Sequence, residues 1–99
     1  MHSSVDQMIS VNSIVVASGD QVSSDLGEEA VILGLKTGVY YGLNPVGARI
    51  WSLVQQPRTV ENIRDTVLAE YEVEPERCER DLLELLQVLL GKGLIDLRQ

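Results

Sequence analysis

The chain has 99 residues and a formal net charge of −7, with eight Lys and Arg residues against fifteen Asp and Glu. This length suits one small domain, and the absence of Phe leaves Leu, Ile and Val to fill its core. The acidic balance argues against nucleic-acid binding, which needs clustered Lys and Arg to release phosphate counterions. No apolar run approaches the roughly 18 residues of a membrane span, and no signal-peptide pattern opens the sequence, so we expect a soluble protein.

Residues that could support catalysis or hold a metal are scarce. His2 is the only histidine, and Cys78 is the only cysteine, so an internal disulfide cannot form. Cys78 lies at an apolar position of a predicted helix with no histidine to activate it, and no glycine-rich phosphate loop is present. We therefore expect no enzymatic activity, no cofactor and no metal, in a reducing, cytoplasmic location.

The first half of the chain has the pattern of short strands. We expect a flexible N-terminus at residues 1–12, followed by one domain over residues 13–97. Strand-like runs cover residues 13–17, 28–35 and 39–43, and residues 18–29 between the first two are predicted as a loop. A tight turn at residues 36–38 predicts a hairpin of the second and third strands. Because both faces of the second strand are mostly apolar, we expect it to be central and covered on each side.

The second half has the pattern of three helices. Asn44 and Pro45 predict the N-cap and first turn of a helix over residues 45–55, and Thr59 caps the next one. A third helix begins at Pro75 and is expected to end at Gly91 or Gly93. Its apolar positions form a broad face, and residues 94–97 alternate like a short final strand. The pattern predicts an α+β fold of winged-helix type.

Acidic residues dominate the second and third helices. Residues 61–84 contain nine acids against three arginines. A third helix with this balance would be repelled by the phosphates that line a DNA groove, so DNA recognition is disfavoured. Two interpretations of the acidic run stay open: a solvated helix face, or a surface that selects a basic or neutral partner.

Three segments resemble one protein family. YYGLNPVGARIW (40–51), RTVENI (58–63) and RDLLELLQVLLGKGLI (80–95), in this order and spacing, resemble the PqqD-like recognition elements, which hold leader peptides of ribosomally made, modified peptides. The similarity runs from about residue 28 to residue 95, and its first segment looks most like the stand-alone proteins of lasso peptide pathways. Glu74 departs from the small capping Asp that the family often has there. The resemblance implies a three-stranded antiparallel sheet packed on three helices.

The resemblance also implies a binding site at the third strand. A leader peptide would add as a further strand along residues 39–43, beside the third helix, which explains why a short strand without charges is exposed at an edge. Leu82, Leu85 and Val88 could belong to the core or to the groove, and both roles stay open. The predicted leader-binding residues are Val39, Tyr40, Tyr41, Gly42, Leu43, Asp81, Leu82, Leu85 and Val88.

The implied function is that of a non-catalytic adaptor. It would bind a lasso-type leader with aromatic, proline and leucine anchors, and present it to a separate leader peptidase, a cysteine protease, with a cyclase as a further partner. A second interpretation is delivery of a precursor peptide to a radical-SAM enzyme. A third is a structural or dimerisation winged-helix module without a peptide ligand.

Overall fold

The structure is a computed structural model that describes residues 8–98. This part of the chain contains six strands and three helices. The strands and helices alternate irregularly along the chain, with most strands in the first half. In order they are β1 (Ile14–Ala17), β2 (Gln21–Asp25), β3 (Ala30–Gly34), β4 (Tyr40–Leu43), α1 (Pro45–Leu53), β5 (Arg58–Thr59), α2 (Val60–Glu70), α3 (Pro75–Gly91) and β6 (Ile95–Arg98).

The strands form two antiparallel sheets of three strands each. One sheet has the order β2-β3-β4, and the other has the order β5-β1-β6. In the first sheet Ile32 pairs with Ser23 on one side and with Tyr41 on the other. The predicted α+β class is confirmed, and β4 lies at an edge of its sheet, where one side of its backbone has no neighbouring strand within residues 8–98.

The hairpin of β3 and β4 forms as the sequence predicts. Its turn is closed by bonds from the Gly38 amide to the Gly34 carbonyl, at 2.8 Å, and from the Gly34 amide to the Val39 carbonyl, at 3.0 Å. Gly38 has a φ of 72°, which only glycine adopts at little cost. This turn fixes the register of the pair, and with it the face of the sheet to which each β4 side chain points.

The segment predicted as a loop over residues 18–29 contains β2 instead. Ser23, Ser24 and Asp25 have low strand propensity and are exposed, so the sequence carries no strand signal there. Backbone pairing with β3 makes this segment a strand. In the turn between β2 and β3, the Leu26 amide donates to the Glu29 carbonyl at 2.8 Å, and Gly27 has a φ of 87°. The third member of this sheet is thus β2, whereas the first predicted strand, β1, pairs with β5 and β6.

The helices cover one face of the β2-β3-β4 sheet. Ala30, Ile32 and Gly34 of β3 are buried, but Val31 and Leu33 on the opposite face are partly exposed. The prediction of a central strand is confirmed, and the prediction that it is covered on each side is wrong. The physical reason is that all three helices lie on the same side, so the apolar outer face has nothing packed over it within residues 8–98.

The helix boundaries follow from local capping. The Asn44 side chain accepts a hydrogen bond from the Gly47 amide at 2.8 Å, and the Thr59 hydroxyl accepts one from the Asn62 amide at 3.0 Å. Glu74 precedes α3 without a side-chain capping bond. At the other end of α3, Gly93 takes a φ of 73° and ends the helix, so the second of the two predicted C-terminal glycines has this role.

A single apolar core joins the two sheets to the helices. The β5-β1-β6 sheet is tied to the ends of two helices: the Ala17 amide donates to the Val54 carbonyl after α1, at 2.7 Å, and the Ser18 amide donates to the Leu94 carbonyl after α3, at 2.9 Å. Helix α3 is held firmly because its inner side chains are fully or almost fully buried. The core members with the largest fully buried side chains are Ile32, Ile63, Leu86, Leu89, Ile95, Val15, Val54, Val60 and Val67.

Residues 8–12 precede β1 and contact the domain. Ile9 is buried, its amide lies 3.4 Å from the Gln87 side-chain oxygen, and the Val11 carbonyl accepts a bond from the Glu61 amide at 3.0 Å. Residues 1–7 of the predicted flexible N-terminus lie outside the described residues. The division at residues 12 and 13 stays a prediction. None of the helices between residues 8 and 98 combines the length and apolar character that crossing a lipid bilayer requires.

An ion pair fastens α1 to α2. The Arg49 guanidinium donates to both carboxylate oxygens of Glu70, at 2.9 and 2.8 Å. These hydrogen bonds stabilise the ionised carboxylate and hold the pKa of Glu70 below its ordinary value of 4.5. Because the folded state lowers this pKa, the stabilising contribution is complete above pH 4.5 and is lost as the pH falls through the folded value.

Replacing Glu70 with Gln should therefore lower thermal stability near neutral pH and not in acid. Circular dichroism melts of the wild type and Glu70→Gln should differ at pH 7, and the difference should shrink towards pH 3, roughly a unit or more below the ordinary carboxyl pKa. Glu28→Gln is the control, because Glu28 forms no ion pair within residues 8–98. A difference that stays constant with pH would show that Arg49 does not act through the Glu70 carboxylate.

Candidate functional site

The free edge of β4 presents backbone groups from alternate residues. The Val39 carbonyl accepts from the Gly34 amide, so the polar backbone groups of Val39 point towards β3. In an antiparallel pair this direction alternates along the strand, so Tyr41 also points towards β3, while Tyr40 and Gly42 point to the free edge. Two amides and two carbonyls, from Tyr40 and Gly42, are therefore available to a further strand.

A groove lies between this edge and α3. It encloses about 570 Å³ and continues from the edge of β4 down to the core. Residues 41–44 form its strand side, and Val46, Gly47, Ile50 and Val67 form its floor. Arg77, Cys78, Asp81, Leu82 and Leu85 form its helix side, and residues 72–74 close one end; we call this site, with these lining residues, the β4–α3 groove.

The start of α1 determines the shape of the groove beside β4. A Cβ atom at Gly47 would lie 3.2 Å from both the Asn44 side-chain oxygen and a Leu43 methyl carbon. Glycine at this position lets the first turn of α1 approach the end of β4 closely, while its amide satisfies the Asn44 cap. The turn from strand to helix is consequently tight, and the end of the edge strand opens directly into the groove.

The structure brings six of the nine predicted leader-binding residues to the groove. They are Tyr41, Gly42, Leu43, Asp81, Leu82 and Leu85. Leu82 and Leu43 are almost fully buried and form the apolar base, whereas Leu85 is partly exposed towards the opening.

The other three predicted residues lie beside the groove and are exposed: Val39, Tyr40 and Val88. Tyr40 is 69% exposed on the outer face of the sheet, while its neighbour Tyr41 is partly buried on the helix side, as strand alternation requires. Val88 follows Leu85 by one turn of α3. The contact of all nine residues with a leader stays a prediction.

The end of the groove is formed by residues that are not among the predicted binding residues. Glu72, Val73 and Glu74 connect α2 to α3 and line the groove there. Val73 is 40% exposed between two acids. An isolated valine in a polar connection is the one feature of the sequence that could have indicated a binding surface there. Arg77 also lines the groove and is not among the predicted binding residues, because helical spacing alone does not show which solvent-facing residue borders a groove.

Cys78 lines the groove without the features of a nucleophile. It is buried, and burial raises the pKa of its thiol, which keeps the less reactive protonated form at neutral pH. Between residues 8 and 98, no three or more His, Cys, Asp and Glu side chains are grouped in a way that could hold a metal ion. The groove offers an apolar base, a partly charged rim and unpaired backbone groups, which are features suited to binding an extended peptide.

Comparisons with known proteins bear on this site. The family model described as Coenzyme PQQ synthesis protein D (PqqD) matches residues 29–95, and the chain therefore belongs to the PqqD family. A solved structure of TbiB1 in complex with the TbiA(beta) leader peptide is 42% identical to this chain, with a TM-score of 0.76, and the match covers 82% of this chain and 94% of that one. No curated protein sequence matches the chain. The family resemblance inferred from the sequence is confirmed.

The alternation along β4 can be measured by amide hydrogen exchange. The Tyr41 and Leu43 amides point towards β3 and should exchange at least about tenfold more slowly than those of Tyr40 and Gly42, which face solvent. The comparison requires residue-specific rates from NMR on the free protein. In the central strand β3, the Val31 and Ile32 amides serve as controls and should both be protected. Equal protection at all four β4 positions would contradict a free edge.

Proposed function

We propose that this chain is a non-catalytic adaptor that binds the leader peptide of a ribosomally synthesised precursor of the lasso type. The leader would add as a strand to the free edge of β4 and place its side chains in the β4–α3 groove. The adaptor would then present the leader to a separate leader peptidase, a cysteine protease, with the cyclase as a further partner. We infer a cytoplasmic location, since the single cysteine is a free, buried thiol.

The observation that carries this proposal is the unpaired edge of β4 directly beside an apolar groove. A peptide that pairs with Tyr40 and Gly42 lies along the opening and can insert side chains towards Leu82 and Leu85. TbiB1, which is 42% identical to this chain over most of both lengths, was solved with a leader peptide. The geometry and the likeness to TbiB1 thus support the same kind of ligand.

The energetics indicate that the groove must contribute more than the strand. Micromolar binding requires about −8 kcal/mol. The four backbone groups of Tyr40 and Gly42 supply roughly 4 kcal/mol at about 1 kcal/mol each. Loss of rigid-body freedom and ordering of the peptide cost on the order of 5 kcal/mol. Three apolar anchors at about 3 kcal/mol each close the difference, so leader side chains determine which peptides bind.

Each predicted residue has a definite role in this proposal. Tyr40 and Gly42 supply backbone bonds, and Tyr41, Leu43, Leu82 and Leu85 receive apolar leader side chains, with Asp81 as a polar contact at the rim. Val39 precedes Tyr41 by two residues and Val88 follows Leu85 by three, so both extend the groove in the direction of Lys92, which lies over the Tyr41 ring. They would contact leader residues that continue past the groove.

The family description supports a second candidate. A PqqD-type adaptor would deliver its precursor peptide to a radical-SAM enzyme, through the same strand addition at β4. The two candidates differ in the enzyme that receives the peptide, because one partner cleaves the leader and the other modifies the core. A structural or dimerisation module would need no peptide ligand, and loss of peptide binding on blocking the β4 edge would count against it.

Gly42→Pro tests the proposed strand addition. Proline removes the Gly42 amide, which points away from β3, and places its ring in the path of the added strand without breaking a β3 bond. We expect at least about tenfold weaker binding, measured by calorimetry with the TbiA(beta) leader and with other lasso-type leaders. Gly42→Ala is the matched control, because a Cβ there would meet no atom within 4 Å and the amide is kept. Unchanged affinity in a folded Gly42→Pro variant would refute the proposed site.

Leu85→Arg tests the groove itself. The substitution removes an apolar contact worth about 1.5–3 kcal/mol and should weaken binding of the same leaders roughly 10- to 100-fold. Leu83→Arg is the control, because Leu83 is also partly buried on α3 but does not line the groove. Melting temperatures of both variants report on folding. Equal loss of affinity in the two variants would show that the effect comes from α3 stability rather than from the groove.

A further inference from the structure

Two acidic residues line one end of the β4–α3 groove, and a basic residue lies beyond the other end. Lys92 follows α3, and its ammonium lies 5.7 Å from the centre of the Tyr41 ring. Glu72 and Glu74 lie at the other end, just before α3 begins at Pro75. A peptide lying along β4 therefore runs from a basic end to an acidic end, and its two halves meet different electrostatic surroundings.

The carboxylates at the acidic end have no ionic partner among residues 8–98. On the helix side, Arg77 lies 3.6 Å from Asp81, which partly offsets its charge; Asp81 also lies 3.8 Å from Arg80, which does not line the groove. Glu72 and Glu74 form no ion pair within residues 8–98, and Glu74 does not use its side chain to cap α3. The partial charge of about +0.5 at the start of α3 is too small to offset two carboxylates. This end of the groove is consequently negative.

The apolar surface between these carboxylates favours a long basic side chain. Val73 is 40% exposed at the end of the groove, with Glu72 and Glu74 on either side of it in the chain. The aliphatic stem of Lys or Arg can cover such a residue while its charged group reaches the carboxylates. An acidic leader residue at the same position would be repelled by both.

We propose that the leader bound by this chain carries a Lys or Arg at the position that lies against Glu72 and Glu74. This inference rests on the proposed function: the groove and the unpaired edge define the site, and the two carboxylates select the charge of the residue that occupies its end. Backbone pairing along β4 does not by itself distinguish one register from another. The charge contact fixes the register, so that the apolar anchors meet the groove.

Selection from a random 12-residue peptide display library tests the proposal without knowledge of the natural leader. Wild-type protein is the bait, and only peptides that fail to bind Gly42→Pro are kept. We expect Lys or Arg to be enriched at one fixed distance from the apolar anchor. The enrichment should disappear with the double variant Glu72→Gln/Glu74→Gln, while the apolar pattern persists. Changing the basic residue of a selected peptide to Gln should weaken binding to the wild type about three- to fivefold at low salt.

The double variant Glu28→Gln/Glu29→Gln is the matched control. It changes the net charge by the same two units, at exposed positions outside the groove. Enrichment kept in this control and lost in Glu72→Gln/Glu74→Gln supports the proposal. The inference would be overturned if the Gly42-dependent peptides showed no enrichment of Lys or Arg, or if both double variants lost that enrichment equally. Either result would leave the proposed function standing. A library that yields no Gly42-dependent peptide would overturn both.

Discussion

The central constraint on this protein is the alternation of backbone groups along β4. The amide and carbonyl of each residue point either towards β3 or towards the free edge. Tyr41 and Leu43 point theirs towards β3, which leaves those of Tyr40 and Gly42 at an edge with no neighbouring strand within residues 8–98. Such an edge either stays hydrated or receives another strand. The turn at Gly38 decides which residues fall on which side, and the close approach of Gly47 brings α1 and the groove up to the end of the strand.

Under the proposed function, helix α3 makes the edge of β4 selective for certain peptides. Its inner side chains, including Leu82, Leu86 and Leu89, are buried almost completely and hold the helix at a fixed distance from β4. The flank that remains accessible carries Leu85, with charged residues near the start of the helix. Backbone bonds alone would accept many sequences, and we infer that selectivity comes from this flank and from the acidic end of the groove.

Cys78 is the one cysteine of the chain, and it lines the wall of the groove. Its thiol is buried, and burial raises its pKa, which keeps the thiol protonated at neutral pH. The chain belongs to the PqqD family, and under the proposed function its contribution is to hold an extended peptide while another protein acts on it. The ion pair of Arg49 with Glu70 lies away from the groove and fastens α1 to α2.

Local signals in the sequence were sufficient for the helix starts at Asn44 and Thr59 and for the hairpin turn at Gly38, because caps and turns depend on a few adjacent residues. They also indicated the uncharged β4 strand and the residues of α3 that could face it. Only the tertiary structure decided that β2 is a strand, since its polar residues pair through the backbone and leave no side-chain pattern. The tertiary structure likewise buried Leu82 at the base of the groove and left Leu85 partly exposed at its opening. It also placed the connection between α2 and α3 at the end of the groove. Helical periodicity shows that residues share a face, but which part of that face stays open depends on what packs against it.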